Sequence, residues 1–216
     1  MTRRDIIFYR ICRDALALFC HLVWRLRVEG RERLPEGPFI LAPVHRSNID
    51  TPLAGAITKR RMCFLGKESM WKYRASAWLF NNLGGVPVRR GTSDREALRK
   101  CMDVLERGEP LVIFPEGGRR TGPILEPLQE GAAYLAVRAG VPIVPVGIGG
   151  SARAMPIGAK LMRPTRVHIV VGDPILPPAP EDGKRPPRRA VRELNERLHD
   201  EIQRLFDEAQ IKAGAR

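Results

Sequence analysis

The sequence predicts an α/β protein with a mixed, largely parallel sheet flanked by helices. Short apolar runs, typical of buried strands, alternate with helical patterns along the chain. Glycine and proline, which favour turns and loops, occur in the connections between these runs. The 216 residues are enough for one domain with a full hydrophobic core, and 44% of them are hydrophobic.

The expected elements follow from this alternation. In chain order they are a helix over 6–24, strands over 27–29 and 39–44, a helix over 50–59, a strand over 62–66, a helix over 69–82, a tight segment over 84–90, a helix reaching 106, a strand over 111–114, a helix over 131–139 ended by Gly140, strands over 143–148 and 166–171, and a helix over 188–212. The strand over 166–171 alternates polar and apolar residues, which predicts one covered face. The last helix has apolar residues at helical spacing, which predicts packing on the core. They are Val191, Leu194, Leu198, Ile202, Leu205 and Phe206.

The N-terminal segment, residues 6–24, is apolar but is interrupted by Arg10, Arg13 and Asp14. It therefore lacks an uninterrupted apolar span of about 20 residues, the length that crosses a bilayer. A secretory signal also fits poorly, because charged residues lie inside the apolar run. Two interpretations remain: a helix packed on the core, or an amphipathic helix in the membrane interface.

Three segments are expected from these patterns. Residues 1–26 are predicted to be a membrane-docking amphipathic helix, and residues 27–175 an α/β domain. Residues 176–216 are predicted to be a proline-rich linker and a C-terminal helix that packs on the domain.

The chain is strongly basic, with a formal net charge of +13. Arginine carries most of the excess, and its guanidinium group suits phosphate in a lipid headgroup, a phosphorylated substrate or nucleic acid. Aromatic residues are only 6% of the chain, which is few for a surface that stacks bases. No recognisable nucleic-acid-binding motif is present, so a non-catalytic module that binds anionic lipid or nucleic acid is the less favoured class.

The four cysteines are Cys12, Cys20, Cys63 and Cys101. They form no CxxC pair and have no histidine at metal-ligand spacing. We expect reduced, mostly buried thiols in a cytosolic protein, and we expect no metal site.

One candidate site follows the second strand, where His45 precedes Asp50 by five residues. An aspartate that accepts a hydrogen bond from one ring nitrogen leaves the other nitrogen free to take a proton. Alternatively, Asp50 is a helix N-cap and His45 an ordinary loop residue. This spacing alone does not decide between the two.

A second candidate follows another apolar strand, where residues 114–120 read Phe-Pro-Glu-Gly-Gly-Arg-Arg. This places Glu116 and Arg119 at the carboxyl edge of the predicted sheet, where open α/β sheets bind ligands. The glycines, Gly117 and Gly118, permit close approach of the backbone to a ligand. A surface ion pair between Glu116 and Arg119 is the alternative.

Four ordered blocks of the sequence resemble those of the glycerolipid acyltransferase family, whose best-known members are the bacterial 1-acylglycerol-3-phosphate acyltransferases. Together they span about residues 39–150. The blocks are HRSNID at 45–50, GVPVRR at 85–90, FPEGGR at 114–119 and VPIVPV at 141–146.

The resemblance implies a role for each site residue. His45 would act as general base on an acceptor hydroxyl, oriented by Asp50. Arg90 and Arg119 would hold the acceptor phosphate, and Glu116 would help to position its glycerol part. The fourth block would be structural.

Other residues have roles that are less closely tied to the family pattern. Lys67 resembles a family lysine near the site. The backbone amides of Gly117 and Gly118 are candidates to stabilise an oxyanion.

The resemblance also implies an activity and its partners. The protein would move a fatty acyl group from a thioester of coenzyme A or acyl carrier protein to 1-acylglycerol-3-phosphate, giving phosphatidic acid. It would need no cofactor or metal and would bind no nucleic acid. It would act as a peripheral or monotopic protein on an anionic membrane surface, at the cytoplasmic side of the cell membrane.

The sequence departs from the family pattern at three places. Val44 stands where asparagine is common, Gly118 where threonine is usual, and Glu130 where a lysine typically precedes Gly-Ala. A changed charge near the pocket leaves other acceptors open, namely glycerol-3-phosphate itself or a glycolipid.

Overall fold

The structure, a computed structural model, describes residues 3–88, 94–179 and 186–214. Within these ranges seven strands form one sheet, in the order β1-β7-β6-β2-β5-β3-β4. All paired strands are parallel except β6 and β7. The strands are β1 Arg27–Glu29, β2 Ile40–Pro43, β3 Cys63–Lys67, β4 Gly85–Val88, β5 Leu111–Val112, β6 Ile143–Gly149 and β7 His168–Val171.

Seven α-helices lie in the described part of the chain: α1 Arg3–Trp24, α2 Asp50–Gly55, α3 Arg74–Asn82, α4 Asp94–Glu106, α5 Gly131–Ala139, α6 Ser151–Ala154 and α7 Arg188–Lys212. Two 3₁₀ helices, Arg31–Arg33 and Glu68–Trp71, precede β2 and α3. The mixed, largely parallel sheet with flanking helices confirms the predicted fold class.

Most elements lie where the sequence predicts them, and α5 and α7 have the predicted bounds. Gly140 adopts a left-handed conformation at the end of α5, which is the usual glycine termination of a helix. The predicted helix over 69–82 is wrong in its first half. That half is a separate 3₁₀ helix, Glu68–Trp71, and α3 begins only at Arg74.

The order of the central strands brings distant parts of the chain together. Strand β2 pairs with β5 through Ile40 opposite Leu111, and β5 pairs with β3 through Leu111 opposite Cys63. These three strands are parallel, so their carboxyl ends lie at one edge of the sheet. The loops after β2 and β5 are therefore neighbours, although about 70 residues separate them.

Helix α7 covers the β6 part of the sheet at very short range. A Cβ atom at Gly147 would lie 2.1 Å from Leu205 O, and one at Gly149 would lie 2.1 Å from Ala209 O. Only glycine lets the helix backbone approach this closely. The predicted apolar stripe of α7 is buried, which confirms its packing on the core.

Strand β7 is more deeply buried than its alternating sequence predicts. All four residues, His168–Val171, are buried, so the expectation of one open face is wrong. His168 can lie inside because its Nε2 meets Glu29 Oε1 at 2.8 Å, across the β1–β7 pair. Lys212 in turn contacts Glu29, which ties the end of α7 to the same edge.

Helix α1 packs on the core with one set of side chains and exposes another set of apolar side chains. Tyr9, Cys20 and Trp24 are buried, and Cys20 and Trp24 belong to the main core. The same helix exposes several large apolar side chains: Ile6, Ile7, Ile11, Leu18, Phe19 and Leu22. No helix within residues 3–88, 94–179 or 186–214 is both long and apolar enough to cross a membrane. The described part of this segment, residues 3–26, is thus partly built into the domain rather than a separate attachment.

Candidate active site

His45 and Asp50 form a hydrogen-bonded pair directly after β2. His45 Nδ1 lies 3.1 Å from Asp50 Oδ2, and the Asp50 side chain is fully buried. An ionised carboxylate only accepts hydrogen bonds, so the proton of this bond is on Nδ1. Nε2 is then the nitrogen that can accept a proton. The ring is also stacked on Phe114, with centroids 4.0 Å apart.

Asp50 holds the loop that carries the histidine. Its Oδ2 accepts hydrogen bonds from the backbone N–H groups of Arg46 and Ser47, each at 2.6 Å. Asp50 is the first residue of α2, and the N-cap is Ile49. The alternative in which Asp50 serves as a conventional N-cap is therefore wrong. The carboxylate reaches back into the loop instead, which fixes both the loop and the ring.

Glu116 has a different environment from the one expected for a residue that contacts substrate. Its side chain is fully buried, with Oε2 2.5 Å from Arg46 Nη1 and Oε1 accepting the His45 backbone N–H at 2.8 Å. Both carboxylate oxygens are thus engaged by protein donors. Glu116 therefore supports the loop that carries His45. This geometry does not provide the predicted contact of Glu116 with the glycerol part of an acceptor.

Arg46 is the partner that joins the two loops. Besides Glu116, its guanidinium donates to the carbonyl oxygens of Gly122 and Ile124, at 3.2 and 3.3 Å. It also lies over the Phe206 ring of α7, 5.0 Å from the centroid. The Arg120 N–H donates to His45 O at 2.9 Å, which closes the connection on the other side.

The two glycines after Glu116 differ in what they can offer a ligand. Gly117 has φ +69° and donates its N–H to Phe114 O at 3.1 Å, so it forms the turn. A Cβ atom there would lie 2.2 Å from the Gln129 side chain. Gly118 lies on the cavity wall, and a Cβ atom there would meet nothing within 4 Å. Of the two predicted ligand contacts, only Gly118 is placed to make one.

A cavity of about 840 Å³ opens beside this pair. Its walls come from α1, α2, β3, the 3₁₀ helix Glu68–Trp71 and α3, and most of the exposed surface inside is apolar. A volume of this size is in the range that encloses a small-molecule ligand. His45 contributes to its lining, so the histidine ring lies at the wall of an apolar chamber.

Two of the predicted cations border the same cavity. Lys67 at the end of β3 and Arg119 in the loop after β5 both line it, and both are exposed to solvent. The third, Arg90, lies outside the described residues. Positive charge thus meets apolar surface near His45, an arrangement suited to a ligand with an anionic head and a hydrocarbon body.

Tyr9 closes the cavity on the α1 side. Its hydroxyl donates to Arg60 O at 3.2 Å and accepts the Met62 N–H at 3.3 Å. Burial raises the pKa of the Tyr9 phenol above its usual value. The side chain is therefore a neutral anchor of α1 at neutral pH, which explains why α1 forms a wall of the chamber.

In the described part of the chain, no three side chains among histidine, cysteine, aspartate and glutamate are grouped as a metal centre. The groups that the described residues offer at the site are the His45–Asp50 pair, nearby cations and loop amides. Sequence reasoning missed the structural roles of Arg46 and Phe114. An arginine in a loop gives no signal in the sequence that its side chain is buried, and the ring contact of Phe114 with His45 joins residues that are far apart in the chain.

The fold and the site together define an α/β protein with an oriented histidine at the wall of an apolar chamber. Residues 25–149 match the profile of the Acyltransferase family, which is more than half of the chain. The chain therefore belongs to the glycerolipid acyltransferase family, as the four sequence blocks predict.

Known relatives agree with this assignment. A chloroplastic 1-acyl-sn-glycerol-3-phosphate acyltransferase of Brassica napus is 27% identical over 70% of this chain and 45% of its own length. A lyso-ornithine lipid O-acyltransferase of Pseudomonas aeruginosa is 33% identical over 64% of this chain and 53% of its own length. This chain thus spans about half the length of these relatives.

A solved structure covers more of the chain. The crystal structure of the 1-acyl-sn-glycerophosphate acyltransferase from Thermotoga maritima has a TM-score of 0.75 and 26% identity. The alignment includes 99% of this chain and 85% of that one. The likeness therefore extends to α1 and α7 as well as to the sheet.

Proposed function

We propose that the protein is an O-acyltransferase that moves a fatty acyl group from a thioester to the free hydroxyl of 1-acylglycerol-3-phosphate, giving phosphatidic acid. The observation that carries this proposal is the His45–Asp50 pair at the wall of an apolar cavity bordered by Lys67 and Arg119. A general base, a hydrocarbon chamber and cations for a phosphate are the three parts that this reaction needs.

The proposed reaction is a direct transfer. His45 Nε2 removes the proton of the acceptor hydroxyl as its oxygen attacks the thioester carbonyl carbon, forming the new C–O bond. The resulting tetrahedral oxyanion collapses, the C–S bond breaks, and the imidazolium returns the proton to the leaving thiolate. The products are an ester and a free thiol. Asp50 favours the imidazolium and keeps the ring in position.

The oxyanion needs a hydrogen-bond donor near His45. The Gly118 N–H is the better candidate of the two loop amides, because Gly117 already donates its own to Phe114 O. A donor aimed at the developing charge typically contributes 10²–10³-fold to kcat.

The cations are assigned to the acceptor phosphate. Arg119 is exposed and borders the cavity, so a phosphate held there would lie close to the histidine loop. Lys67 is available on the neighbouring strand, and Arg90 is the third cation in this assignment. Charge-assisted bonds to phosphate would orient the hydroxyl of the acceptor toward Nε2.

The membrane is the proposed source of the acceptor. Six large apolar side chains of α1 are exposed, and the helix also forms a wall of the cavity. A lipid surface that covers these residues would place a membrane-dissolved acceptor beside the chamber. The net charge of +13 favours peripheral binding of the protein to an anionic lipid surface, at the cytoplasmic side of the cell membrane.

A second acceptor class has one specific observation in its favour, the 33% identity to a lyso-ornithine lipid O-acyltransferase. That acceptor class is distinct from a phosphorylated glycerol, and glycerol-3-phosphate itself is a further candidate. A non-catalytic basic module remains the alternative of another class, and salt-sensitive nucleic-acid binding without any turnover would favour it.

Product analysis tests the proposal. Purified protein receives lysophosphatidate, glycerol-3-phosphate or lyso-ornithine lipid, each with thioesters of coenzyme A or of acyl carrier protein. Phosphatidic acid formed from lysophosphatidate is the expected product, and the His45→Ala variant is the matched control. Acylation of lyso-ornithine lipid alone would reassign the acceptor, and no acyl transfer with any pair would overturn the proposal. The same panel identifies the donor.

A further inference from the structure

Three large apolar side chains are exposed in the connection between α6 and β7, residues 155–167, which we call the α6 loop. Ile157 is 44% exposed, Leu161 81% and Met162 48%. Single exposed apolar residues are common on protein surfaces, but these three lie close together in one loop. A cluster of this kind is typical of a surface that contacts a partner.

Backbone hydrogen bonds give the α6 loop a defined shape. The Arg163 N–H donates to Ala154 O at 2.7 Å, which closes the loop at its base. Within it, the Ala159 N–H donates to Pro156 O at 3.0 Å, which forms a turn. The loop therefore presents its apolar side chains to solvent from an ordered backbone.

The charge of this loop is positive only. Lys160, Arg163 and Arg166 are exposed in it, and the sequence has no acidic residue between Glu130 and Asp173. Lysine and arginine can lay their hydrocarbon stems along apolar surface while their charged groups stay in water. The α6 loop thus offers apolar side chains and cations side by side, which complements an anionic surface with an apolar interior.

The α6 loop lies at the edge of the sheet that carries the catalytic histidine. It follows β6 and α6, and β6 is parallel to β2, after which His45 comes. Ser47 Oγ, two residues beyond His45, donates to Met155 O at 2.6 Å. The Ser47 side chain is buried, so this bond attaches the base of the α6 loop to the loop of the histidine.

The other end of the α6 loop adjoins the carboxyl end of α1. The Val167 N–H donates to the carbonyl oxygen of Trp24, the last residue of α1, at 2.9 Å. The Trp24 ring lies 5.4 Å from that of Phe19, and both Phe19 and Leu22 are exposed. The apolar side chains of the loop and of this end of α1 are therefore carried by neighbouring parts of the structure.

We infer that the α6 loop is a second lipid-contact surface, which inserts Ile157, Leu161 and Met162 into an anionic bilayer beside the loop of His45. This goes beyond the proposed function, in which α1 alone contacts the lipid. The apolar side chains project from a turn, and a bilayer accepts such side chains without a matching groove. The cations of the same loop would meet the anionic headgroups.

The first test removes one apolar side chain. Full-length wild type and Leu161→Ser are sedimented with vesicles of phosphatidylcholine and phosphatidylglycerol. Leu176→Ser is the matched control, because Leu176 is 70% exposed and lies at the opposite edge of the sheet, where Ile175 pairs with Ile143 at the start of β6. We expect Leu161→Ser to weaken vesicle binding by about tenfold or more, since a buried leucine side chain is lost from the interface. Leu176→Ser should bind as wild type does.

The second test removes charge. A Lys160→Ser, Arg163→Ser double variant should bind anionic vesicles more weakly at low salt, by about fivefold for each cation lost. Its binding to vesicles of phosphatidylcholine alone should change far less. An Arg138→Ser, Arg188→Ser double variant is the control of equal charge. Arg138 ends α5 before β6 begins, and Arg188 begins α7, whose other end packs on β6.

Sedimentation needs no turnover, so its result stands whether or not acyl transfer is found. Circular dichroism should show that every variant keeps its fold, because the changed side chains are exposed. Equal vesicle binding by Leu161→Ser and Leu176→Ser would overturn the inference, because it would leave α1 as the lipid contact without the α6 loop. Equal losses in the two charge variants would overturn it as well, since net charge alone would then explain the binding.

Discussion

Arg46 donates a hydrogen bond to Glu116 at 2.5 Å, and both side chains are buried between the loop after β2 and the loop after β5. The same carboxylate accepts the backbone N–H of His45. The ion pair therefore acts on the position of the histidine without touching the cavity. It links the first and third sequence blocks, which meet only because β2 and β5 are neighbours in the sheet.

Glu116→Gln should destabilise the protein, because it leaves the buried Arg46 guanidinium without a charged partner. We expect the free energy of unfolding to fall by about 3 kcal/mol, as for other buried pairs that lose one member. Urea denaturation measures it. Glu126→Gln is the control, since Glu126 pairs with Arg120 at the surface. This substitution should lower the free energy of unfolding by less than about 0.5 kcal/mol. Equal stabilities of the two variants would show that the pair does not brace the loops.

Asp50→Asn should lower kcat by roughly 10³–10⁴-fold, because an amide can donate to Nδ1 and leave Nε2 protonated. The variant also disturbs the loop, since Asp50 Oδ2 accepts the Arg46 and Ser47 N–H groups. Circular dichroism and thermal unfolding must therefore show a native fold before kcat is compared. A folded variant with less than a tenfold loss would remove Asp50 from the mechanism.

Arg119→Ala should raise the KM for lysophosphatidate about tenfold or more with little change in kcat, because a phosphate contact acts in the ground and transition states alike. Arg120→Ala is the matched control, since Arg120 is adjacent but pairs with Glu126 and does not line the cavity. Steady-state kinetics with each substrate varied separates the effects. A rise in the KM for the thioester alone would assign Arg119 to the donor.

A Leu18→Glu, Leu22→Glu double variant should weaken binding to anionic vesicles at least about tenfold, because each leucine would lose apolar burial in the interface. Both are more than half exposed and lie one turn apart on α1. Co-sedimentation at rising ionic strength measures the binding. Ile211→Glu, an equally exposed site on α7, is the control. Equal losses of vesicle binding in the double variant and in Ile211→Glu would mean that α1 is not the specific site of membrane contact.

Point substitutions are the proper test of α1. If residues 1–26 were the separate membrane-docking segment that the sequence predicts, they could be deleted with the domain still folded, but the structure argues against this. Trp24 and Cys20 are fully buried in the main core, and Tyr9 bonds to the segment before β3. Deletion would open that core, so loss of membrane binding by a truncated chain would be uninformative.

Sequence patterns predict those features whose cause is local. Gly140 marks the end of α5, and the apolar stripe of α7 marks its buried face, so both helices have the predicted bounds. The His45–Asp50 pair was also open to prediction, because both residues lie within one loop and the start of one helix. Their spacing permits the contact that the structure contains.

Features that depend on distant contacts could not be predicted. Burial of Glu116 requires Arg46, and nothing in the sequence distinguishes that arginine from a solvated one. Burial of His168 requires Glu29 from a strand about 140 residues away. The break of the predicted helix over 69–82 accompanies the packing of Trp71 on Gly66 of β3 and Gly85 of β4.

Acyl transfer to lysophosphatidate by wild type and His45→Ala protein is the most direct test of the central claim. The ring is only partly buried and its stacking on Phe114 contributes little to the core, so the variant should keep its fold. The single-turnover rate of phosphatidic acid formation should fall by about 10²–10⁴-fold, the usual contribution of a positioned general base. Near-normal transfer by the folded variant would contradict the account.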